Sequence, residues 1–316
     1  MRLATLRRGG RDGTLVAVSG DGTRAAPVAG YAALQAALDE WDAAQPALHA
    51  AAEAAESGEV VQPDDFAAPL PRAWQWLDGS AFANHGALMQ LAFGHAPIET
   101  DLPLMYQGMS HAFIAPTADV PLPSEADGID FEGEFGVITG DVPMGCSADE
   151  ALAHVRLVLL INDWSLRAIA IPEMKTGFGW VQAKPACSVA PFAVTPDALG
   201  DAWRDGRVHL PLTVEVDGQW FGSPNGAAMG YGFHELIAHA ARTRSLPAGT
   251  IIGSGTVSNE EHETVGSTCL SERRAIEMIA HGAPKTPFLS FGSRVVMRAG
   301  EGVSPFGAID QRVVRG

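Results

Sequence analysis

The sequence predicts a β-rich α+β protein: a mixed sheet rolled or folded into a sandwich, preceded by a small N-terminal domain. Three observations lead there. Beyond residue 72 the chain consists mostly of short apolar or alternating runs set off by Gly and Pro. Helical patterns are fewer and do not alternate regularly with the strands, as a βαβ architecture would require. No glycine-rich phosphate loop follows a strand, which argues against a doubly wound α/β fold.

The elements follow in order. Residues 2–7 and 14–19 alternate apolar and polar around a Gly-rich turn and read as a hairpin. Residues 31–57 are Ala-rich, with Leu34, Leu38, Trp41 and Leu48 at helical spacing and Ser57-Gly58 as the stop. Pro63, Pro69 and Pro71 mark residues 62–72 as a linker, which separates a domain at 1–72 from one at 73–316. Strand patterns then fall at 129–139, 155–163, 188–194, 209–217, 250–257 and 293–298. Helical patterns fall at 78–94, 147–155, 196–203, 232–243 and 271–281. There are no internal repeats and no low-complexity tail.

Composition narrows the function. Of the 316 residues 47% are hydrophobic and 18% charged, which fits a globular protein with a substantial core. A formal net charge of −16 disfavours nucleic acid and anionic membranes as partners, since both need a basic surface. An acidic protein that acts on an anionic substrate must build a local positive site, and a bound metal would do so. The three cysteines, Cys146, Cys187 and Cys269, match no zinc spacing, and their odd number argues against a disulfide framework. A reducing cytoplasm is the simplest setting. Residues 1–20 place Arg and Gly where a signal peptide needs an unbroken apolar core, and no run has the length of a transmembrane helix.

The chemistry gathers in a few segments. In Asp130-Phe-Glu132-Gly-Glu134-Phe135, strand alternation would project Glu132 and Glu134 to one side while Phe131 and Phe135 pack behind. Two carboxylates on one face repel unless a cation lies between them, and a hard divalent ion takes oxygen ligands. Asp163, ending the apolar run from Val155 to Ile161, offers a third; an ordinary half-buried strand is the plain alternative. Asp78 and His85 stand seven residues apart, on roughly one face of a helix and about 10 Å apart along it. Arg167 follows Asp163 by one helical turn, facing a ligand beside the metal or forming an i,i+4 ion pair. Lys184 sits in an apolar, Pro-containing surround where burial would demand an anionic partner. Gly253-Ser-Gly-Thr256 is a Gly-rich turn that would let backbone N–H groups approach a ligand, with Thr256 adding a hydroxyl; an ordinary strand-turn is the plain alternative.

Taken in order, these segments resemble the fumarylacetoacetate hydrolase family, bacterial branch, over roughly residues 74–300. The motifs are Asp-x6-His, Leu-Pro…Tyr from Leu102 to Tyr106, E-x-E, N-D-W-S-x-R, a Lys preceding a strand, and G-S-G-T-x-S. The resemblance implies a mixed β-sandwich roll with a small N-terminal domain, and a homodimer. It implies a divalent metal (Mg²⁺, Ca²⁺ or Mn²⁺) on carboxylates matching Asp78, Glu132, Glu134 and Asp163. His85 would be the general base that activates water. Arg167, Lys184, Tyr106 and Thr256 match positions that bind or polarise the substrate, and Ser188 lies near a hydroxyl-bearing family position. The implied activity is hydrolysis of a carbon–carbon bond in a small anionic diketo acid, fumarylacetoacetate-like or acylpyruvate-like, through a metal-bound enolate. Such reactions belong to the breakdown of aromatic compounds.

Two departures leave alternatives open. Where the animal hydrolase carries a substrate-contacting Gln, this chain has Ala170. The Glu that orients the catalytic His there would fall at Leu270; Glu272 lies two residues on, and a shifted loop would let it serve. Without it, a decarboxylase, hydratase or lyase acting on 2-keto acids gains weight. A non-catalytic metal-binding protein is the further alternative, though a simple Ca²⁺ site needs only oxygens, not His85, Lys184 and Arg167.

Overall fold

The computed structural model describes residues 1–93 and 100–316. A main sheet of eleven strands organises them. Ten run in the order Glu59–Val60, Arg24–Pro27, Thr14–Val18, Arg2–Leu6, Ala193–Val194, Val155–Asn162, Gly133–Thr139, Ile251–Gly253, Trp76–Gly79 and Met105–Gly108. The eleventh, Ser188–Val189, pairs with the end of Val155–Asn162. Ile251–Gly253 and Trp76–Gly79 run parallel; the other neighbours are antiparallel. The N-terminal hairpin joins this sheet directly, with Arg2 opposite Val194 and Leu3 opposite Ala193. A second sheet of five strands contains Gln219–Gly222, Leu212–Val216, Arg294–Ala299, Ile309–Arg315 and Val120–Leu122.

The unbroken apolar run from Leu157 to Ile161 now has a physical reason. Val158 and Leu160 face the second sheet, in a core with Phe135, Val137, Leu212, Val214 and Met297. Leu157, Leu159 and Ile161 point the other way, into a core with Leu34, Leu38 and Leu48 from the N-terminal helices. A strand covered on both faces buries every side chain, so the polar half of the alternation disappears. Each fully buried aliphatic side chain contributes about 1.5–3 kcal/mol.

Several expected elements shift. The pattern at 31–57 splits into helices Leu34–Asp39 and Trp41–Ala55 at Glu40. The expected helix at 78–94 begins only at Ala83, and Trp76–Gly79 is a strand paired on both sides; Gly94 lies outside the described residues. Asp78 and His85 therefore do not share a helix face. The segment from Asp163 to Leu166 is not helical: Ser165–Leu166 pairs with Ile129–Asp130, and the helix Arg167–Met174 starts after it. Both helical readings of the Asp163–Arg167 spacing fall with that. The acidic strand is also broken, since Ile129–Asp130 and Gly133–Thr139 are separate and Glu132 forms an isolated bridge with Cys269.

Candidate active site

The middle of the main sheet delivers the carboxylates. Asp78 lies on Trp76–Gly79, opposite Gly253 on one side and Tyr106 on the other. Gly253 is required there: a Cβ would come within 2.4 Å of Asp78 Oδ1 and 2.3 Å of the Trp76 ring. Gly255 turns with φ +77° and its N–H donates to Asp78 Oδ1 at 3.2 Å, so the Gly-rich turn does bring a backbone donor to the site. Thr256 follows it, buried. Glu134 comes from Gly133–Thr139, opposite Ile161, and Asp163 follows the end of Val155–Asn162.

Asp78, Glu134 and Asp163 each offer a carboxylate oxygen within 4.8 Å of the others, and all three are buried. Two unit charges that far apart repel by about 3.5 kcal/mol at an effective dielectric near 20, so three ionised carboxylates need protons or a cation among them. Both Glu134 oxygens lack a hydrogen-bond partner among the described residues. Burial, then the charges of Asp78 and Asp163, push the Glu134 carboxyl well above the usual carboxylate range. Burial, then Asp163, does the same to Asp78. An orphaned, fully buried carboxylate among hard oxygen donors fits a divalent cation such as Mg²⁺, Mn²⁺ or Ca²⁺.

Glu132 lies outside that cluster. With the strand interrupted before Gly133, its carboxylate turns to cations: Lys184 Nζ donates to Oε2 at 2.6 Å and Arg167 Nη2 to Oε1 at 2.5 Å. Burial opposes its charge, but Arg167 and Lys184 outweigh that and hold Glu132 below the usual carboxylate range. Lys184 is 6% exposed and donates also to Asp163 Oδ2 at 2.5 Å and Ser165 Oγ at 2.8 Å. Burial would lower it, yet Asp163 and Glu132 raise it far above an ordinary lysine, so it stays charged. Arg167 lends its Nε to Asp130 Oδ2 at 2.8 Å, and Glu132 and Asp130 keep it protonated against burial.

The remaining expected residues gather around this core. The Tyr106 hydroxyl donates to Asp163 Oδ2 at 2.7 Å; burial, then the charge of Asp163, raise its phenol well above the ordinary value. His85 stands near the start of the helix Ala83–Phe93, which Asn84 pins by donating to Ser258 Oγ and the Asn259 carbonyl, both at 2.8 Å. His85 Nδ1 meets Glu272 Oε2 at 2.9 Å. Leu270, where the family register would place the orienting Glu, is instead a buried core residue, and Glu272 reaches the His from the first turn of the helix Leu270–His281. The Ser188 Oγ accepts from Trp164 Nε1 at 2.9 Å.

Four contributors escaped the sequence reading. Asp130 holds Arg167, and its place two residues before Glu132 was a usable signal. Ser165 accepts from Lys184. The Cys187 thiol donates to Asp163 Oδ1 at 3.0 Å, with nothing in its spacing to announce it. Trp180 packs edge-on against Tyr106 at 4.9 Å between ring centroids and lies 5.6 Å from Lys184 Nζ.

A buried carboxylate cluster beside a His–Glu pair, on a mixed β-sandwich roll, defines an enzyme-like site, and comparison with known proteins gives it a family. Residues 75–314 match the model of the fumarylacetoacetate (FAA) hydrolase C-terminal region, and residues 1–72 that of fumarylacetoacetase N-terminal domain 2. The chain belongs to the fumarylacetoacetate hydrolase family. It is similar to the 2,4-didehydro-3-deoxy-L-rhamnonate hydrolase of Sphingomonas sp. (strain SKA58), with 31% identity over 163 residues, 51% of this chain and 54% of that protein. It is also similar to the mitochondrial oxaloacetate tautomerase FAHD2B of Bos taurus, with 27% identity over 157 residues, 49% of this chain and 48% of that protein. The matched segment thus spans about half the length of these relatives. The maleylpyruvate hydrolase of Sphingobium sp. SYK-6, solved in complex with manganese(II) and pyruvate, shares the fold at a TM-score of 0.67 and 17% identity, covering all of both chains. Among the described residues no helix is long and apolar enough to cross a membrane.

Proposed function

We propose that this protein is a metal-dependent hydrolase that cleaves a carbon–carbon bond in a small anionic diketo acid of the acylpyruvate or fumarylacetoacetate type. The observation that carries this reading is the pairing of His85 with Glu272 beside a buried carboxylate cluster whose Glu134 oxygens lack partners. Asp78, Glu134 and Asp163 would hold the cation. When bound, it supplies positive charge against the enolate that carbon–carbon cleavage releases.

The chain's own residues account for the rest. Glu272 accepts from Nδ1–H of His85, which leaves Nε2 free to take a proton from water. The hydroxide equivalent adds to a carbonyl carbon, the bond to the neighbouring methylene breaks, and the electron pair leaves as the enolate. The proton held by His85 returns to that carbon, giving a carboxylate and a pyruvate-like keto acid. Arg167 and Lys184 place two cations in an otherwise acidic site, fixed there by Glu132, where they offset negative charge that the substrate brings. Tyr106 is held on Asp163 next to Trp180, and Thr256 extends the turn that reaches Asp78. Assembly as a homodimer is proposed from the family resemblance, and light scattering on the purified chain tests it.

The similarity to an oxaloacetate tautomerase favours a second reading, in which the same site interconverts, hydrates or decarboxylates a 2-keto acid without hydrolysing it. Product analysis separates the two. A panel of acylpyruvates is followed by loss of enol absorbance, with Mg²⁺ or with excess EDTA, and the products are weighed by mass spectrometry. Metal-dependent formation of two carboxylic acids supports the hydrolase. Unchanged mass with loss of the enol band supports tautomerisation.

A further inference from the structure

Asp130 is fully buried and joins two parts of the site that the proposed mechanism treats separately. Its Oδ1 accepts from the N–H of Leu270 at 2.7 Å; its Oδ2 accepts from the N–H of Ser271 at 2.9 Å and from Arg167 Nε at 2.8 Å. Leu270 and Ser271 open the helix Leu270–His281, and the next residue is Glu272. The first N–H groups of a helix have no partner within it, and a carboxylate there also meets the favourable end of the helix dipole. The third of these groups, the N–H of Glu272, donates to Cys269 Sγ at 3.3 Å. The turn that carries Glu272 is therefore held from outside by Asp130 and Cys269. On its other side Asp130 fixes one arm of the Arg167 fork, and Glu132 takes the other.

We infer that Asp130 is a positioning residue: it sets the helix turn that holds Glu272 against His85 and, through the same carboxylate, aims Arg167, so that the base and the cationic side of the site keep one registration. This rests on the reading of His85 and Glu272 as the base and its partner. Three donors converge on two oxygens, so the amide of an Asn would turn an N–H toward at least one of them. Glu272 is in hydrogen-bond contact with His85, whose charge when protonated also reaches Glu132.

The test uses Asp130→Asn in the full chain, with folding checked by circular dichroism. The ring ¹⁵N shifts of His85, recorded at rest, report which nitrogen carries the proton. The parent should give the Nδ1–H form. Asp130→Asn should give a mixture of both tautomers, like Glu272→Gln, and lower kcat by roughly 10²-fold, the low end of what a positioned base contributes. The double variant Asp130→Asn/Glu272→Gln should lose less than the product of the two single losses, because both remove the hold of Glu272 on His85 and only the aiming of Arg167 is left for Asp130→Asn to add. A parent-like ¹⁵N spectrum in Asp130→Asn, or additive losses in the double variant, overturns the inference. If Asp130→Asn does not fold, Ser271→Pro removes one N–H that Asp130 accepts, at a first-turn position where Pro is tolerated; it should mix the tautomers too, and a parent-like spectrum again overturns the inference. Full activity in His85→Ala would instead defeat the functional reading, while the resting spectra would still decide whether Asp130 positions Glu272.

Discussion

Glu272 Oε2 lies 2.9 Å from His85 Nδ1 although 187 residues separate them in the chain. The contact exists because the helices Ala83–Phe93 and Leu270–His281 pack against each other, and because Asp130 and Cys269 hold the first turn of the second. His85→Ala should abolish turnover with Mn²⁺ affinity unchanged, while Glu272→Gln should lower kcat by about 10²–10⁴-fold. Steady-state kinetics alongside calorimetric metal titration checks both; a His85→Ala enzyme with parent-like kcat removes the base from the mechanism.

The metal-free protein should lose stability as pH rises. Asp78 and Glu134 are raised in the folded state, so their contribution is complete below the ordinary carboxylate range and declines as pH climbs toward their folded values. Glu132 is shifted the opposite way; its contribution is in place above that range and is lost only in acid, so it does not cancel the trend. Between pH 5 and 8 the melting temperature in EDTA should fall, and the increment from added Mg²⁺ should grow. Calorimetric scans in both conditions test this, and an EDTA melting temperature that rises over that interval contradicts it.

Lys184 stands between Glu132 and Asp163 with almost no access to water. Removing one partner of a buried ionic cluster leaves the others uncompensated, at about 3–5 kcal/mol. Lys184→Met should therefore destabilise the metal-free chain by that amount in urea unfolding. A loss under about 1 kcal/mol, the range of exposed ion pairs, would mean the cluster relaxes freely.

Glu132 and Glu134 stand two residues apart but should behave differently. Glu132 is engaged by Arg167 and Lys184, so Glu132→Gln should weaken Mn²⁺ only as an outer partner does, by about 10–100-fold. Its larger effect should be on KM, since both cations lose their anchor. Calorimetric Mn²⁺ titration of Glu132→Gln tests this; complete loss of binding would place Glu132 among the ligands.

Much of this site was legible because the chemistry sits in short motifs. The apolar run before Asp163 marked a strand, though not that both its faces are covered, and the acidic residues at Glu132 and Glu134 marked a place where charge had to be balanced. What one sequence cannot display is pairing between distant segments. Asp78 reads as helical beside Ala81, Ala83 and the residues that follow, yet strands on both sides claim its backbone. The Asp163–Arg167 spacing suits a helix, but Ser165–Leu166 is recruited by Ile129–Asp130. Glu272 replaces Leu270 in reaching His85 only because helix packing sets which face of Leu270–His281 meets Ala83–Phe93. Cys187 had no pattern at all, since its thiol matters only through its contact with Asp163.

The central claim is that the unpartnered Glu134 carboxylate, with Asp78 and Asp163, holds one divalent cation. Calorimetric titration of Mn²⁺ into the metal-stripped parent and into Glu134→Gln tests it most directly. One ion per chain in the parent, with binding lost in the variant, is the expected result. Absence of binding to the parent, or undiminished binding to Glu134→Gln, would contradict the account.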